Sequence, residues 1–230
     1  MHDSVHPMAK SVARKRRTRA ERMLETRNLI VEAAIDLHTT VGPARTTVSA
    51  IAAQAGVQRH TVYAHFPETV ELFRACSGLW AERNPFPDIT RWAAIEDPIT
   101  RLAVALDEVY DYWERTDSDL AAVFSGSERL PEMAEPLKAW EETLANAARA
   151  LAGGWPGAEE RGRCTRAAIA HALDLETWRS LVAKPGLPRS EGVALMCALV
   201  EAAVVVDQDQ GRGREAAVSR LLAPARPRPE

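Results

Sequence analysis

The stretch from Val48 to Phe66 restricts the fold more than any other, because it holds two short helical patterns separated by a glycine. In the first pattern, apolar residues recur at the i, i+3, i+4 and i+7 spacing of one helix face. These residues are Val48, Ile51, Ala52 and Ala55. Gly56 follows, where a helix end often takes the left-handed backbone that glycine adopts most easily. We therefore predict a helix, a glycine turn and a second helix, the layout of a helix-turn-helix.

The second helix of this stretch has one apolar side and one polar side. Val62 and Phe66 lie four residues apart and are expected to face the core. The opposite side carries residues that can all form hydrogen bonds: Gln58, Arg59, His60 and Tyr63. An arginine fork matches guanine O6 and N7, and a glutamine matches adenine in the same way. We therefore expect Arg59 and Gln58 to reach base edges in the major groove of DNA.

Several segments here, in their order and spacing, resemble the N-terminal domain of TetR-type transcriptional repressors. They are Ile30-Val31-Glu32-Ala33-Ala34, Gly42-Pro43-Ala44-Arg45-Thr46-Thr47-Val48, Ile51-Ala52, Ala55-Gly56-Val57, Thr61-Val62-Tyr63 and His65-Phe66. The resemblance covers roughly residues 22–72. It implies that an N-terminal DNA-binding domain is followed by a helical domain that binds a small molecule and forms a homodimer.

The resemblance also implies contacts with the DNA backbone on either side of the recognition helix. Thr61, Tyr63 and His65 match family positions that hold phosphates, and such contacts position a protein without specifying sequence. Thr47 resembles a position at a helix N-terminus that meets a phosphate. His60 replaces the family's usual small residue, and it is expected at a base edge or a phosphate. The predicted DNA-binding residues are Thr47, Gln58, Arg59, His60, Thr61, Tyr63, His65 and Thr69.

Two positions depart from the family in ways that affect these expectations. Thr69 stands where the family commonly has a lysine, so a charge-assisted phosphate contact becomes one from a hydroxyl or an N–H group. Glu68 and Glu71 add negative charge nearby, and we expect weaker non-specific affinity at this edge. His38 stands where the family usually has an aromatic residue such as Phe. We expect His38 to be a half-buried core residue rather than a ligand contact.

Positive charge is concentrated at the N-terminus, although the formal net charge of the whole chain is -3. Residues 1–19 are polar and basic and include the run Arg14-Lys15-Arg16-Arg17. We predict a disordered arm that adds affinity by lying along phosphates or in the minor groove. Acidic residues dominate later in the chain, so one end alone is expected to touch DNA.

Composition excludes several other classes of protein. Hydrophobic residues make up 46% and charged residues 27%, the balance of a soluble globular chain. No run approaches the roughly 18 apolar residues of a membrane span. The cysteines, which are Cys76, Cys164 and Cys197, lack metal-ligand spacing. We expect a cytoplasmic protein with reduced thiols, no membrane association, and neither a metal nor a cofactor.

The rest of the chain is predicted to be helical, since no segment alternates apolar and polar residues as a strand does. Predicted helices cover Ala20–Val41, Thr69–Arg83, a segment from Pro98 through Trp113, a short helix capped by Asp117-Ser118-Asp119 and ending at Phe124, Glu132–Leu151, Arg161–Val182 and Ser190–Val206. A further short helix is possible before Leu222. The fold class is all-α, with a three-helix DNA-binding domain followed by a larger helical domain.

These segments define the predicted domain organisation. The divisions are the basic arm at 1–19, the DNA-binding domain with its linking helix at 20–83, the effector-binding and dimerisation domain at 84–222, and a disordered tail at 223–230. Two prolines within 84–88 bar a continuous helix and place the domain boundary there.

The second domain has no sharp motif, and its roles follow mainly from the resemblance. Helices near 163–182 and 190–206 are rich in Ala and Val, which permits close packing in a four-helix dimer interface. The alternative is that both helices are intramolecular core. A small, largely apolar effector is implied, enclosed by helices of this domain. Candidate effector-binding residues are Tyr110, Trp113, Phe124, Trp140, His171 and Trp178.

The predicted function is a homodimeric repressor that binds a palindromic operator in double-stranded DNA and is released by its effector. An activator or architectural DNA-binding protein without an effector is the first alternative. A helical enzyme is the second, although the sequence shows no nucleophile–base set, metal cluster or phosphate-binding glycine loop. His171 and Asp174 lie three residues apart and are a polar pair more often found in solvent or core than in catalysis.

Overall fold

The structure, a computed structural model, describes residues 18–155 and 162–209, and these contain helices and no strand. The all-α prediction is therefore confirmed. Residues 1–17 of the arm predicted over 1–19, the predicted tail and the short helix before Leu222 lie outside the described residues. The last two residues of the predicted arm are ordered instead, because Thr18 is the N-cap and Arg19 the first residue of α1. The α-helices are α1 Arg19–Thr40, α2 Val48–Gln54, α3 Arg59–His65, α4 Thr69–Arg83, α5 Ile89–Ala93, α6 Pro98–Phe124, α7 Ala134–Ala152, α8 Arg163–Leu173, α9 Leu175–Trp178 and α10 Arg189–Asp209.

The first helix starts with a reciprocal cap, and a glycine follows its C-terminal end. The Thr18 hydroxyl accepts a hydrogen bond from the Glu21 N–H at 3.1 Å, and the Glu21 carboxylate accepts one from the Thr18 N–H. This capping box satisfies two amide groups that the helix start would otherwise leave unpaired. Beyond α1, Gly42 takes a φ of +91°, and a short 3₁₀ turn at Pro43–Arg45 leads into α2.

Helices α1 to α4 share one hydrophobic core, centred on the helix-turn-helix. Its most buried members come from all four helices and include Ile30, Ala34, Ile51, Val62, Phe66 and Leu72. Thr47 caps α2 by accepting a hydrogen bond from the Ala50 N–H at 3.2 Å. Gly56 has a φ of +68°, so the left-handed turn between α2 and α3 is confirmed.

Helix α6 corrects one prediction, because it runs unbroken from Pro98 to Phe124. We expected Asp117-Ser118-Asp119 to cap a separate short helix, and that expectation is wrong. The two aspartates serve tertiary contacts instead. Asp117 accepts a hydrogen bond from Arg179 Nε at 2.6 Å, and Asp119 accepts one from Trp80 Nε1 at 2.9 Å.

The predicted long helix over Arg161–Val182 is also wrong, because it is interrupted at Asp174. The backbone of Asp174 is extended, and its carboxylate accepts a hydrogen bond from the Glu176 N–H at 2.6 Å. The Asp174 side chain thereby caps the start of α9, and a turn of π-helix at Arg179–Ala183 follows α9. The segment near 163–182, which we predicted to form part of a dimer interface, is therefore made of shorter helical pieces.

Helices α5 to α10 enclose a second hydrophobic core, which includes Trp92, Leu106, Trp113, Leu151 and Val200. Helix α10 packs along α8, and the Asp207 carboxylate on α10 accepts hydrogen bonds from the backbone N–H groups of Cys164 and Thr165 at 3.0 and 2.8 Å. An α10 side chain thereby caps the start of α8. Within the described residues, no helix is long and apolar enough to cross a membrane.

Helices α1 to α4, which we call the DNA-binding head after its predicted role, pack directly on α6. A Cβ atom added to Gly42 would lie 2.7 Å from the Ala122 carbonyl oxygen, so the two backbones are in close contact. From α4, the indole of Trp80 donates to Asp119 on α6, and Arg74 pairs with Glu135 on α7 at 2.9 and 2.7 Å. The head and the rest of the chain are thus linked by close backbone packing, by the half-buried Trp80–Asp119 hydrogen bond and by the Arg74–Glu135 ion pair.

Candidate nucleic-acid interface and effector cavity

The recognition helix α3 presents its polar residues to solvent and its apolar residues to the core. Val62 is 2% exposed and Phe66 is 3% exposed, which fixes the rotation of the helix against α1 and α2. The side chains of Gln58, Arg59, His60 and Tyr63 are all exposed. Gln58 is the N-cap of α3 and Arg59 is its first residue, so both side chains lie at the N-terminal end of the helix.

Arg59 and Tyr63 form a pair one turn apart on this face. Arg59 Nη2 donates a hydrogen bond to the Tyr63 hydroxyl at 3.0 Å, and the guanidinium carbon lies 5.5 Å from the centre of the Tyr63 ring. Cation–π attraction and the hydrogen bond both restrict the long arginine side chain. A restricted arginine loses less entropy when it engages a base edge or a phosphate.

The other predicted DNA-binding residues lie at the starts of α2 and α4 and on α3 itself. Thr47 is exposed at the N-cap of α2, and Thr69 is exposed at the first residue of α4. Thr61 and His65 lie on α3 and are half-buried. Helix N-termini carry partial positive charge and unpaired N–H groups, so both helix starts suit phosphates. Glu68 and Glu71 stand exposed beside Thr69 and oppose this at α4.

Contacts from α1 hold the recognition helix and the helix before it. The Arg27 guanidinium lies over the Phe66 ring, 4.5 Å from its centre, just beyond the end of α3. Asp36 accepts a hydrogen bond from Gln54 at 3.2 Å, at the end of α2. Arg83 on α4 pairs with Glu32 on α1, so the first and fourth helices are tied as well.

A cavity of about 400 Å³ lies where the DNA-binding head meets the rest of the chain. Its walls come from α1, α4, α6 and α7, with Phe86 from the α4–α5 connection. Most lining groups are apolar, and the aromatic ones are Phe73, Trp80, Phe86, Tyr112, Phe124 and Trp140. This volume falls within the range of small-molecule pockets, and aromatic walls with few polar groups are typical of them.

The predicted effector-binding residues divide into two groups in the structure. Phe124 and Trp140 line this cavity. Tyr110 and Trp113 are fully buried and donate hydrogen bonds to the carbonyl oxygens of Ala172 and Leu173, both at 3.2 Å. The remaining two lie outside the cavity as well: His171 is exposed beside Thr177, and Trp178 is buried with no acceptor for its indole N–H among the described residues.

Sequence reasoning missed the cavity residues that α1 and α4 contribute. His38, Phe73 and Trp80 were placed in the core or left without a role, because their helices belong to the DNA-binding head. His38 was expected to be half-buried, and it is only 7% exposed. The one available signal was chemical: a histidine stands at a position where the family usually has an apolar aromatic residue.

Comparisons with solved structures show the same fold in several bacterial proteins. A tetR-family transcriptional regulator from Streptomyces coelicolor is 21% identical, with a TM-score of 0.54 over 86% of this chain and 89% of that one. A transcriptional regulator from Rhodococcus sp. RHA1 is 20% identical, with a TM-score of 0.52 over 76% and 95% of the two chains. A putative tetR-family transcriptional regulator from Mesorhizobium loti is 19% identical, with a TM-score of 0.51 over 83% of this chain and 98% of that one.

A search of curated proteins gives no match to this sequence. The N-terminal part of the chain does match a known protein family. Residues 30–76 match the family described as bacterial regulatory proteins, tetR family, and this range runs from the buried half of α1 into α4. The chain thus carries the DNA-binding domain of the bacterial TetR family, on the all-α fold of TetR-family transcriptional regulators.

Proposed function

We propose that this protein is a homodimeric transcriptional repressor that binds a palindromic operator and is released by a small, largely apolar effector. The observation that carries the proposal is the outer face of α3. It exposes Gln58, Arg59, His60 and Tyr63 while Val62 and Phe66 are buried, so a polar helix face is offered to a groove.

Each polar group then has a role that its chemistry suits. Arg59 and Gln58 read base edges in the major groove, since each can form a bidentate pair with one base type. Tyr63, Thr61 and His65 hold the backbone from α3. Thr47 and Thr69 meet phosphates at the starts of α2 and α4, and His60 reaches a base edge or a phosphate.

Dimerisation through the last helices is supported by the exposed side of α10. Leu195 is 48% exposed and Leu199 is 40% exposed, and they lie four residues apart on one face. The opposite face of α10 is buried, with Val193, Val200 and Val204 in the second core. An apolar stripe of this kind, in a helix already packed against α8, suits a four-helix interface with a second copy. A pair of recognition helices would then read two half-sites.

Release by an effector is supported by the position of the cavity. A molecule in it would touch α1 and α4 of the DNA-binding head together with α6 and α7. Binding can shift a conformational equilibrium only when the ligand binds the two states differently. A site between the head and the remainder meets this requirement, because movement of the head changes its walls.

The test measures, by fluorescence anisotropy at several salt concentrations, how the purified protein binds the DNA upstream of its own coding region. We expect saturable, sequence-preferring binding by a dimer, and release when apolar compounds are added. Leu199→Arg should yield a monomer with much weaker binding, whereas Val104→Arg, on an exposed position of α6, should leave a dimer. Specific binding that no compound weakens would instead favour an effector-independent regulator, and a monomer on one half-site would contradict the dimer.

A further inference from the structure

His38 brings a polar group into the cavity from the DNA-binding head. It lies on α1, lines the cavity and is 7% exposed. Its ring stacks on the Phe73 ring with 4.9 Å between centroids and an angle of 10° between planes. The ring is therefore fixed in orientation by an aromatic neighbour on α4.

Cys76 lies beside one of the two ring nitrogens of His38. The Cys76 thiol donates a hydrogen bond to the Phe73 carbonyl oxygen at 3.2 Å, so its sulfur is available as an acceptor. His38 Nδ1 lies 3.5 Å from that sulfur. Because the thiol hydrogen is directed to the Phe73 carbonyl oxygen, we assign the ring proton to Nδ1, which then donates to the sulfur. The other ring nitrogen, Nε2, then has a free lone pair. In the described part of the chain no group forms a hydrogen bond with Nε2.

Burial keeps both groups uncharged. It lowers the pKa of His38 to about 4 and raises the pKa of the Cys76 thiol to about 11. At neutral pH the imidazole is thus a neutral acceptor and the thiol remains a donor. An acceptor at the cavity wall that no protein group uses can accept a hydrogen bond from a ligand hydroxyl.

The rest of the cavity offers no unpaired charge to a ligand. Arg74 and Glu135 line it, but they form a bidentate ion pair with each other. Tyr112 also lines it and is 1% exposed, and its hydroxyl has no hydrogen-bond partner within residues 18–155 and 162–209. Neutral polar groups among aromatic walls suit an uncharged ligand, because burying an unpaired charge costs far more than burying a hydroxyl.

We propose that His38 is the polar anchor of this cavity and that its ligand is a neutral, largely aromatic molecule whose hydroxyl group donates to Nε2. The regulatory consequence rests on the proposed effector role of the cavity, whereas the binding claim does not. Because the anchor belongs to α1, the ligand would hold the DNA-binding head by a hydrogen bond as well as by apolar contact.

The experiment compares two probes of nearly the same shape, 4-phenylphenol and its methyl ether 4-methoxybiphenyl, by calorimetry on the full chain. Only the phenol can donate a hydrogen bond. We expect it to bind about five- to tenfold more tightly, the effect of one net hydrogen bond. His38→Phe should remove this preference while retaining affinity for the ether. His171→Phe, the same exchange at an exposed site outside the cavity, should keep the preference.

A second variant guards against a folding defect in His38→Phe, which circular dichroism will reveal. Cys76→Ala removes the sulfur that orients the proton, so the preference for the phenol should fall although His38 is present. Equal affinity of the two probes for the wild type, a preference that survives His38→Phe, or no binding of either probe would each overturn the assignment.

The same titrations, repeated with DNA bound, separate this inference from the proposed function. If the phenol binds with a His38-dependent preference and DNA affinity does not change, the anchor stands and the effector role fails. If both probes release DNA equally from wild type and His38→Phe, the effector role stands and the anchor is wrong.

Discussion

Arg59 Nη2 donates a hydrogen bond to the Tyr63 hydroxyl at 3.0 Å, across one turn of the recognition helix. A residue proposed to read a base is therefore held by a residue proposed to contact the DNA backbone. Both side chains are exposed, so DNA can reach either partner. The pair gives the two roles separate mutational signatures.

Arg59→Ala should weaken operator binding by about 1–3 kcal/mol and relax the preference at one base pair, since it removes a bidentate contact with a base edge. Anisotropy on the operator and on single-base-pair variants measures both effects. Tyr63→Phe is the matched control, because it keeps the ring and removes the hydroxyl. It should weaken binding to all sequences alike. Discrimination that is unchanged in Arg59→Ala would place Arg59 outside the groove.

The contact between Gly42 and α6 can be measured against a second glycine with similar backbone geometry. Gly42 and Gly56 have φ values of +91° and +68°, so alanine is strained at both. At Gly56 the added Cβ meets nothing within 4 Å, and we expect a cost of about 1–2 kcal/mol. Gly42→Ala should cost clearly more, because its Cβ would lie 2.7 Å from the Ala122 carbonyl oxygen. Urea unfolding measures both, and equal losses would mean that the head packs loosely on α6.

Folding stability should fall with acid through His38. Burial lowers the pKa of His38 in the folded state to about 4, from its ordinary value of 6.5. Between these values the unfolded chain binds a proton that the folded chain does not, so this contribution is complete above pH 6.5 and is lost as pH falls towards 4. From about pH 7 to about pH 5 the loss is on the order of 2 kcal/mol. The free energy of unfolding of His38→Phe should vary less with pH, with His171→Phe as control. A wild-type slope matching that of His38→Phe would contradict this.

Asp207 should stabilise the packing of α10 against α8, because it caps the start of α8. Asp207 is 6% exposed, and its carboxylate accepts hydrogen bonds from the N–H groups of Cys164 and Thr165 and from the Thr165 hydroxyl at 2.8 Å. Burial opposes ionisation, but the hydrogen bonds from Thr165 and Cys164 hold the pKa of Asp207 below its usual value. Asp207→Ala should cost about 2–3 kcal/mol in urea unfolding and weaken the dimer. Asp207→Asn keeps one acceptor oxygen and should lose less; identical losses would argue against capping.

The helix-turn-helix could be predicted closely because its signals are local. Apolar spacing set the buried face of α2 and α3, Gly56 set the turn, and Thr47 set the start of α2. Helix α6 shows the limit of local signals. Asp117-Ser118-Asp119 resembles a helix cap, but its aspartates bind Arg179 and Trp80 from distant parts of the chain. Asp174 interrupted a continuous apolar pattern by capping α9, and periodicity does not report a cap inside such a pattern.

The cavity could not be predicted because no single segment contains it. Its walls combine α1 and α4 with α6 and α7, and the aromatic residues of α4 have the same helical spacing whether they face a core or a pocket. Trp80 contacts both hydrophobic cores, which a sequence pattern does not reveal. Tyr110 and Trp113 were reasonable candidates by type, yet their polar atoms bind the end of α8.

Whether two α3 helices read one operator can be measured by in vitro selection of random duplex DNA with the wild-type protein. We predict enrichment of a two-fold symmetric sequence, with half-sites whose centres lie about one helical turn, or a multiple of one, apart. Arg59→Ala should enrich a sequence degenerate at one position in each half-site. Enrichment of a single asymmetric site, or no enriched sequence at all, would contradict the claim that two α3 helices read an operator.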